Sequence, residues 1–272
     1  MLSGAVSHIS VIMALIFYAL SSGFFLHAFP QIKKRIKIHR MAFLFFVIAT
    51  FCITVAVANS MLANYYTQTS GLLLIAVVSC LTIWLHVGSQ IQTIGIFVAP
   101  VATLILLFLG FKYSSTTLHI AADRPHYLAE LHITCSVLGQ SFAIIGFAIA
   151  TLYLLQQRAL KSKQLNFISK ATPPLHKLQH SLMLSLWLGF FFLTLGLISG
   201  VVYTMFLSKL VVSSIYGKIA WALAVWVWYL AILLTKNVFG KSGSVISKMS
   251  CLGFLLLMLT FFGLTEIGNV ID

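Results

Sequence analysis

Histidines and carboxylates are concentrated in one polar segment, HIAADRPHYLAELH at residues 119–132, which holds three of the nine His and two of the four acids. Histidine with carboxylates can ligate a metal ion, and imidazole alone can ligate haem iron. His119, Asp123, His126 and Glu130 therefore form a candidate metal site. Their spacing matches no metal-site motif, so a solvated polar loop is the alternative interpretation.

His132 closes this segment and is followed at helical spacing by Ser136 and Gln140. Residues at i, i+4 and i+8 share one face of a helix. In a chain as apolar as this one, such a polar stripe should face a cavity or another helix rather than lipid. Hydrogen bonding between helices would explain Ser136 and Gln140 without a ligand.

Two further patterns follow in the chain. Gly196 and Gly200 form a GxxxG motif, whose small residues permit two helices to approach closely. Trp221 lies where an interfacial aromatic belt is expected. Trp226 and Trp228 lie deeper, where they would pack in the core or against a flat cofactor.

Conventional catalytic motifs are missing from the sequence. There is no Gly-rich phosphate loop, no GxSxG and no pair of intramembrane carboxylates. His176 and His180 are spaced as in HExxH, but the Glu that zinc proteases need is absent. The sequence therefore predicts no particular enzymatic reaction, and it does not favour ion-coupled transport.

The composition defines the elements that must position these residues. Hydrophobic residues make up 60% of the 272-residue chain and charged residues only 8%, with a mean hydropathy of +1.04. Soluble domains carry about 25% charged residues. The chain therefore predicts an all-α, polytopic transmembrane helix bundle that forms one integral membrane domain over residues 1–272.

Apolar runs of the length that crosses a bilayer, about 20 residues, predict eight spans. They are approximately His8–Phe29, Met41–Leu62, Gly71–Val87, Ile94–Phe111, His132–Leu155, Ser181–Met205, Lys218–Leu234 and Ser250–Thr265.

The net charge of +13 comes mainly from two clusters between spans, Lys33–Arg40 and Arg158–Lys177. Because positive loops stay in the cytoplasm, this distribution predicts that both termini face outward. It also predicts a membrane partner, the lipid bilayer, rather than nucleic acid.

Two motifs in the second half are the most specific ones: TLGLISG at residues 194–200 and K-x-x-WAL-x-x-W at residues 218–226. Together with the stretches around them, they make residues 131–264 similar to the cytochrome c assembly (CcsA/CcmC-type) haem-handling family. The similarity is greatest to its HemX/YpjD-like branch of eight-span proteins of the bacterial inner membrane.

The resemblance implies that haem is bound or passed at the outer face. His132 matches the family's first external histidine and is the implied iron ligand. His126, His119, His8 or a partner would supply a second ligand. Trp221 and Trp226 would contact the cofactor.

The external cations available for the haem propionates are Arg124, Lys209 and Lys218.

The family's tryptophan-rich WWD segment has no counterpart here, since residues 201–217 contain neither Trp nor Asp. Leu234 occupies the position of the family's intramembrane histidine, and no histidine follows the last span. These differences motivate an alternative function: a non-enzymatic membrane adaptor or regulator of tetrapyrrole synthesis. Cytochrome assembly or tetrapyrrole-synthesis proteins are the expected partners.

Overall fold

The computed structural model describes residues 2–28, 36–62, 66–88, 91, 93–112, 126–162, 173–205 and 209–267. These residues form eight α-helices and no strand. The helices are α1 (Leu2–Ala28), α2 (Ile36–Leu62), α3 (Tyr66–Gly88), α4 (Gly95–Lys112), α5 (His126–Lys161), α6 (Leu175–Thr204), α7 (Lys209–Asn237) and α8 (Gly243–Ile267).

Each predicted span corresponds to one of these helices, which confirms the helical-bundle fold class. In the described part of the chain, six helices are long and apolar enough to cross a membrane. The other two have shorter apolar stretches, at residues 95–110 in α4 and 243–259 in α8. This is a multi-pass membrane protein, and helices suit it because each satisfies its own backbone hydrogen bonds.

Hydroxyl side chains inside these helices mostly bond to their own backbone. Thr50, Ser141 and Thr194 each donate to the carbonyl oxygen four residues earlier, at 2.7–2.8 Å. A hydroxyl satisfied in this way can lie in an apolar surrounding at little cost. Such residues therefore do not by themselves indicate a site.

The chain divides into two compact units, and the first contains residues 1–119 and 155–178. Within it α1 packs against α2 and α4, and α3 packs against the same two helices. The Tyr18 hydroxyl on α1 lies 2.6 Å from the Ser79 hydroxyl on α3. Phe43 on α2 stacks on His86 of α3, with ring centroids 3.8 Å apart.

The second unit contains residues 120–154 and 179–272. Here α7 packs along α8, and the Trp228 Nε1 donates to the Met249 carbonyl oxygen at 3.1 Å. Phe147 on α5 stacks on Phe254 of α8 at 4.1 Å between ring centroids. All the residues of the predicted polar stripe lie in this unit.

The helix that bears His132 begins earlier than the predicted span. α5 starts at His126 and extends over 36 residues, about 54 Å at 1.5 Å per residue. The segment YLAEL between the two positions is rich in good helix formers, so the helix continues beyond its lipid-compatible part. His132 therefore lies nearly two turns inside α5 rather than at its start.

Gly139 is a position where α5 and α6 approach closely. A Cβ atom at Gly139 would lie 2.9 Å from the backbone nitrogen of Leu193. Since backbone moves less readily than a side-chain tip, we expect Gly139→Ala to cost about 1–3 kcal/mol of stability. The measurement is the thermal unfolding midpoint of the detergent-solubilised protein.

Gly217→Ala is the matched control, because no atom lies within 4 Å of a Cβ atom added there. Its unfolding midpoint should equal or exceed that of the wild type, since alanine favours helix. Equal midpoints for the two variants would contradict the close approach of α5 and α6 at Gly139.

Candidate functional site

His132 is held by a backbone carbonyl of the neighbouring helix. Its Nδ1 lies 2.7 Å from the carbonyl oxygen of Gly196 on α6. A carbonyl oxygen can only accept, so Nδ1 carries the hydrogen and donates it. In the neutral imidazole, Nε2 then keeps a free lone pair. Fixing one nitrogen in this way is how proteins orient histidines that ligate metals through the other.

The GxxxG motif places α6 against the part of α5 that carries His132 and Ser136. A Cβ atom at Gly200 would lie 2.7 Å from Cε1 and Nδ1 of His132. A Cβ atom at Gly196 would lie 2.8 Å from the Ser136 hydroxyl oxygen. Only glycine leaves room for the imidazole at Gly200, and the packing interpretation of this motif agrees with these contacts.

A cavity of about 380 Å³ opens beside His132. Its volume is within the usual range for small-molecule sites, about 300–1,000 Å³. The described polar or amphipathic residues in its wall are His132, Ser136, Gln140, Tyr203, Thr204, Lys218 and Trp226. The remaining lining residues are Leu193, Leu197, Gly200, Val201, Ile219, Ala222, Val225 and Leu257.

The whole predicted polar stripe thus lines one cavity. His132, Ser136 and Gln140 lie on the same face of α5, and this face borders the cavity, whose other lining residues belong to α6, α7 and α8. Ser136 and Gln140 are half-buried, as is His132. A polar stripe in a membrane helix is accounted for when it borders a cavity instead of lipid.

Trp221 and Trp226 of α7 have different environments. Trp226 lines the cavity and donates from Nε1 to the Thr194 hydroxyl oxygen at 2.8 Å. Trp221 donates to the Leu256 carbonyl oxygen of α8 at 3.3 Å and does not line the cavity. Trp226 therefore lines the same cavity as His132, whereas Trp221 packs on α8.

Of the other predicted ligands, His8 is exposed on α1, and the rest belong to residues 119–130. His119 lies outside the described residues, as do Asp123 and Arg124. His126 is the first residue of α5, and its side chain is likewise outside the description. Glu130 is exposed. Among the residues that the structure describes, no group of three or more His, Cys, Asp or Glu side chains could hold a metal ion.

Tyr203 and Thr204 are cavity residues that the sequence analysis missed. They follow Gly196 and Gly200 on α6 at spacings of seven and four residues, so they share the face that packs against α5. Extending the GxxxG face by one turn would have found them. The role of the Gly196 carbonyl had no signal in the sequence, because every residue carries one.

The comparison with protein families gives a match to the cytochrome c assembly protein model over residues 66–271, which is more than half of the chain. The chain belongs to the cytochrome c assembly protein family. The match begins at the first residue of α3 and includes every cavity-lining residue. It extends further toward the N-terminus than the similarity to residues 131–264 that the sequence motifs indicate.

Among curated proteins, the chain is similar to the cytochrome c biogenesis protein CcsA of Chlamydomonas reinhardtii. The two are 25% identical over 192 residues, which cover 65% of this chain and 50% of the relative. The chain thus spans about half the length of this relative. No solved structure matches the chain with significance.

The lining of the cavity can be compared with what haem requires. Its wall provides an imidazole with an oriented nitrogen lone pair, apolar side chains, an indole ring and the cationic Lys218. Imidazole is a common ligand of haem iron, and apolar walls suit the macrocycle. The described lining residues of the cavity therefore suit haem.

We expect Gly200→Ala to displace the His132 imidazole, because the added methyl group would overlap Cε1 and Nδ1. The displaced ring loses its bond to Gly196, and His132 should react faster with diethylpyrocarbonate. Mass spectrometry of peptides from the solubilised protein measures this rate. Gly217→Ala serves as the control, and an unchanged His132 rate in Gly200→Ala would contradict the close contact.

Proposed function

We propose that this protein binds haem in the cavity beside His132 and holds it or passes it to other cytochrome assembly proteins. The observation that carries the proposal is the hydrogen bond from His132 Nδ1 to the Gly196 carbonyl oxygen at 2.7 Å. With Nδ1 donating, Nε2 is the nitrogen left to act as a ligand, at the wall of a cavity of about 380 Å³. Membership of the cytochrome c assembly family supports haem as the ligand.

The remaining wall suits the two chemically different parts of haem. Leu193, Val225 and Leu257 offer apolar contact to the macrocycle, and Trp226 adds an aromatic surface. Lys218 is the cation of the described wall, and it is exposed. An ammonium group in this position can pair with a propionate carboxylate. When bound, the iron would supply redox chemistry, while the chain orients the group and shields it from water.

We also propose on which side of the membrane the site lies. The positive clusters favour a cytoplasmic position for the loops after the first and fifth spans, and this orientation would put the N-terminal part of α5 and His132 near the outer face. We therefore propose that haem is handled on the outer side of a bacterial inner membrane. Membership of the HemX/YpjD-like branch stays a prediction.

His132→Ala should abolish the Soret band that forms when hemin is added to the purified protein in detergent, because the iron loses its nitrogen ligand. The measurement is an absorbance titration with hemin in the oxidised and reduced states. His180→Ala is the matched control, since His180 is an exposed histidine of α6 that does not line the cavity.

A band of equal intensity in His132→Ala would disprove the proposed site. If hemin gives no specific band in the wild type either, the adaptor function becomes the better prediction. Interaction with tetrapyrrole-synthesis proteins would then be tested through the cytoplasmic clusters Lys33–Arg40 and Arg158–Lys177.

Lys218→Gln should weaken hemin binding about two- to five-fold, because an exposed ion pair contributes up to about 1 kcal/mol. The wild-type affinity should decrease with added salt, and this dependence should be smaller in the variant. Lys248→Gln is a suitable control, since Lys248 is also exposed but lies on α8 outside the cavity wall. Equal affinities for the two variants would exclude Lys218 as the propionate partner.

A further inference from the structure

Trp226 is held at the cavity wall by a side chain of another helix. Its indole Nε1 on α7 donates to the Thr194 hydroxyl oxygen on α6 at 2.8 Å. Trp226 lines the cavity, whereas Thr194 is not one of the described lining residues. Thr194 therefore contacts a residue of the wall without belonging to the described wall itself.

The Thr194 hydroxyl group is well suited to accept this bond. It donates its single hydrogen to the Phe190 carbonyl oxygen of its own helix at 2.7 Å, so its lone pairs remain for the indole N–H. The Phe190 ring also lies beside the Trp226 ring, with centroids 5.4 Å apart and planes inclined by 30°. Two side chains of α6, one turn apart, thus restrict the rotation of the indole.

The acceptor of this bond is a side chain, which makes it separable from the fold. Trp228 on the same helix donates instead to the backbone carbonyl oxygen of Met249. Substitution of Thr194 can remove the acceptor of Trp226 and leave the backbone unchanged. The contribution of the orientation of Trp226 can therefore be measured.

The segment TLGLISG, residues 194–200, bonds to two walls of the cavity. The Gly196 carbonyl oxygen accepts from His132 on α5, and the Thr194 hydroxyl oxygen accepts from Trp226 on α7. An imidazole can bind iron, and an indole can contact a flat ring. The two oriented groups thus suit different parts of haem, the metal and the macrocycle.

We infer that Thr194 is a positioning residue that holds the Trp226 indole as a preformed aromatic contact for a planar tetrapyrrole, so that the cavity recognises the macrocycle independently of its iron. The inference rests on the proposed haem function. It extends the ligand class from haem to porphyrins without a metal. A side chain that is already oriented loses less conformational entropy when the ligand binds, and this raises the affinity.

The experiment titrates the full chain in detergent with metal-free protoporphyrin IX and follows porphyrin absorbance and fluorescence against detergent alone. The wild type should bind this porphyrin, and Thr194→Val should weaken binding about three- to ten-fold, as expected for one hydrogen bond. The same fold-change is expected for hemin, because the contact does not involve the iron.

Thr235→Val is the matched control for this substitution. Thr235 lies on α7, is half-buried and donates to the Ala231 carbonyl oxygen of its own helix at 2.7 Å. It is not one of the described lining residues of the cavity. Thr235→Val should therefore bind protoporphyrin IX as tightly as the wild type.

A double-mutant cycle distinguishes positioning from a general packing defect. Trp226→Phe removes the same hydrogen bond from the α7 side, so adding Thr194→Val to it should cause no further loss of affinity. A packing defect would instead add to the loss. Thr194→Ser keeps the hydroxyl group and should bind as the wild type. If Thr194→Val does not fold, Thr194→Ser and Trp226→Phe still give opposite expected results.

The results that overturn the inference differ from those that overturn the proposed function. Equal protoporphyrin affinities for Thr194→Val and Thr235→Val, or additive losses in the double variant, exclude the positioning role. Binding of hemin without binding of protoporphyrin IX excludes recognition of the macrocycle independently of iron. A His132-dependent hemin band leaves the proposed haem function intact in each case. Absence of binding of both ligands to the wild type overturns the inference and the function together.

Discussion

The hydrogen bond between His132 and the Gly196 carbonyl oxygen, 2.7 Å long, is the interaction on which the candidate site depends. It exists because α6 presents glycine to α5 twice, at Gly196 and Gly200, so the imidazole fits between the helices. The bond sets both the position of the ring and the nitrogen that keeps a lone pair. Without it, the same histidine would be a polar side chain of undefined tautomer at a cavity wall.

In a membrane helix, a polar side chain needs either a partner or an open, polar environment. Ordinary hydroxyls of the chain return their hydrogen bonds to their own helix, as Thr50 and Ser141 do. An imidazole and a carboxamide are larger and cannot be concealed in this way, so His132 and Gln140 need a polar or open environment. The cavity of about 380 Å³ provides it in the second unit of the chain.

Much of this architecture was predictable because lipid restricts the possible structures. Eight apolar runs predict eight helices, and the i, i+4, i+8 spacing predicts that His132, Ser136 and Gln140 share a face. The start of α5 was less predictable, because hydropathy detects the lipid-compatible part of a helix and not its extension from His126. Trp221 and Trp226 are both predicted to contact the cofactor, but their spacing of five residues gives them different directions on the helix, and of the two only Trp226 is among the described lining residues.

Composition and local spacing were thus sufficient for properties that depend on one helix and its solvent: the membrane class, the helices found among the described residues and the polar face of α5. The partners across helix interfaces depend on distances between segments far apart in the chain, such as the 64 residues between His132 and Gly196. The packing therefore supplied the tautomer of His132, the inclusion of Tyr203 in the wall and the separation of Trp221 from Trp226. Those features arise from which surfaces fit together, and a one-dimensional pattern of residue types does not contain that information.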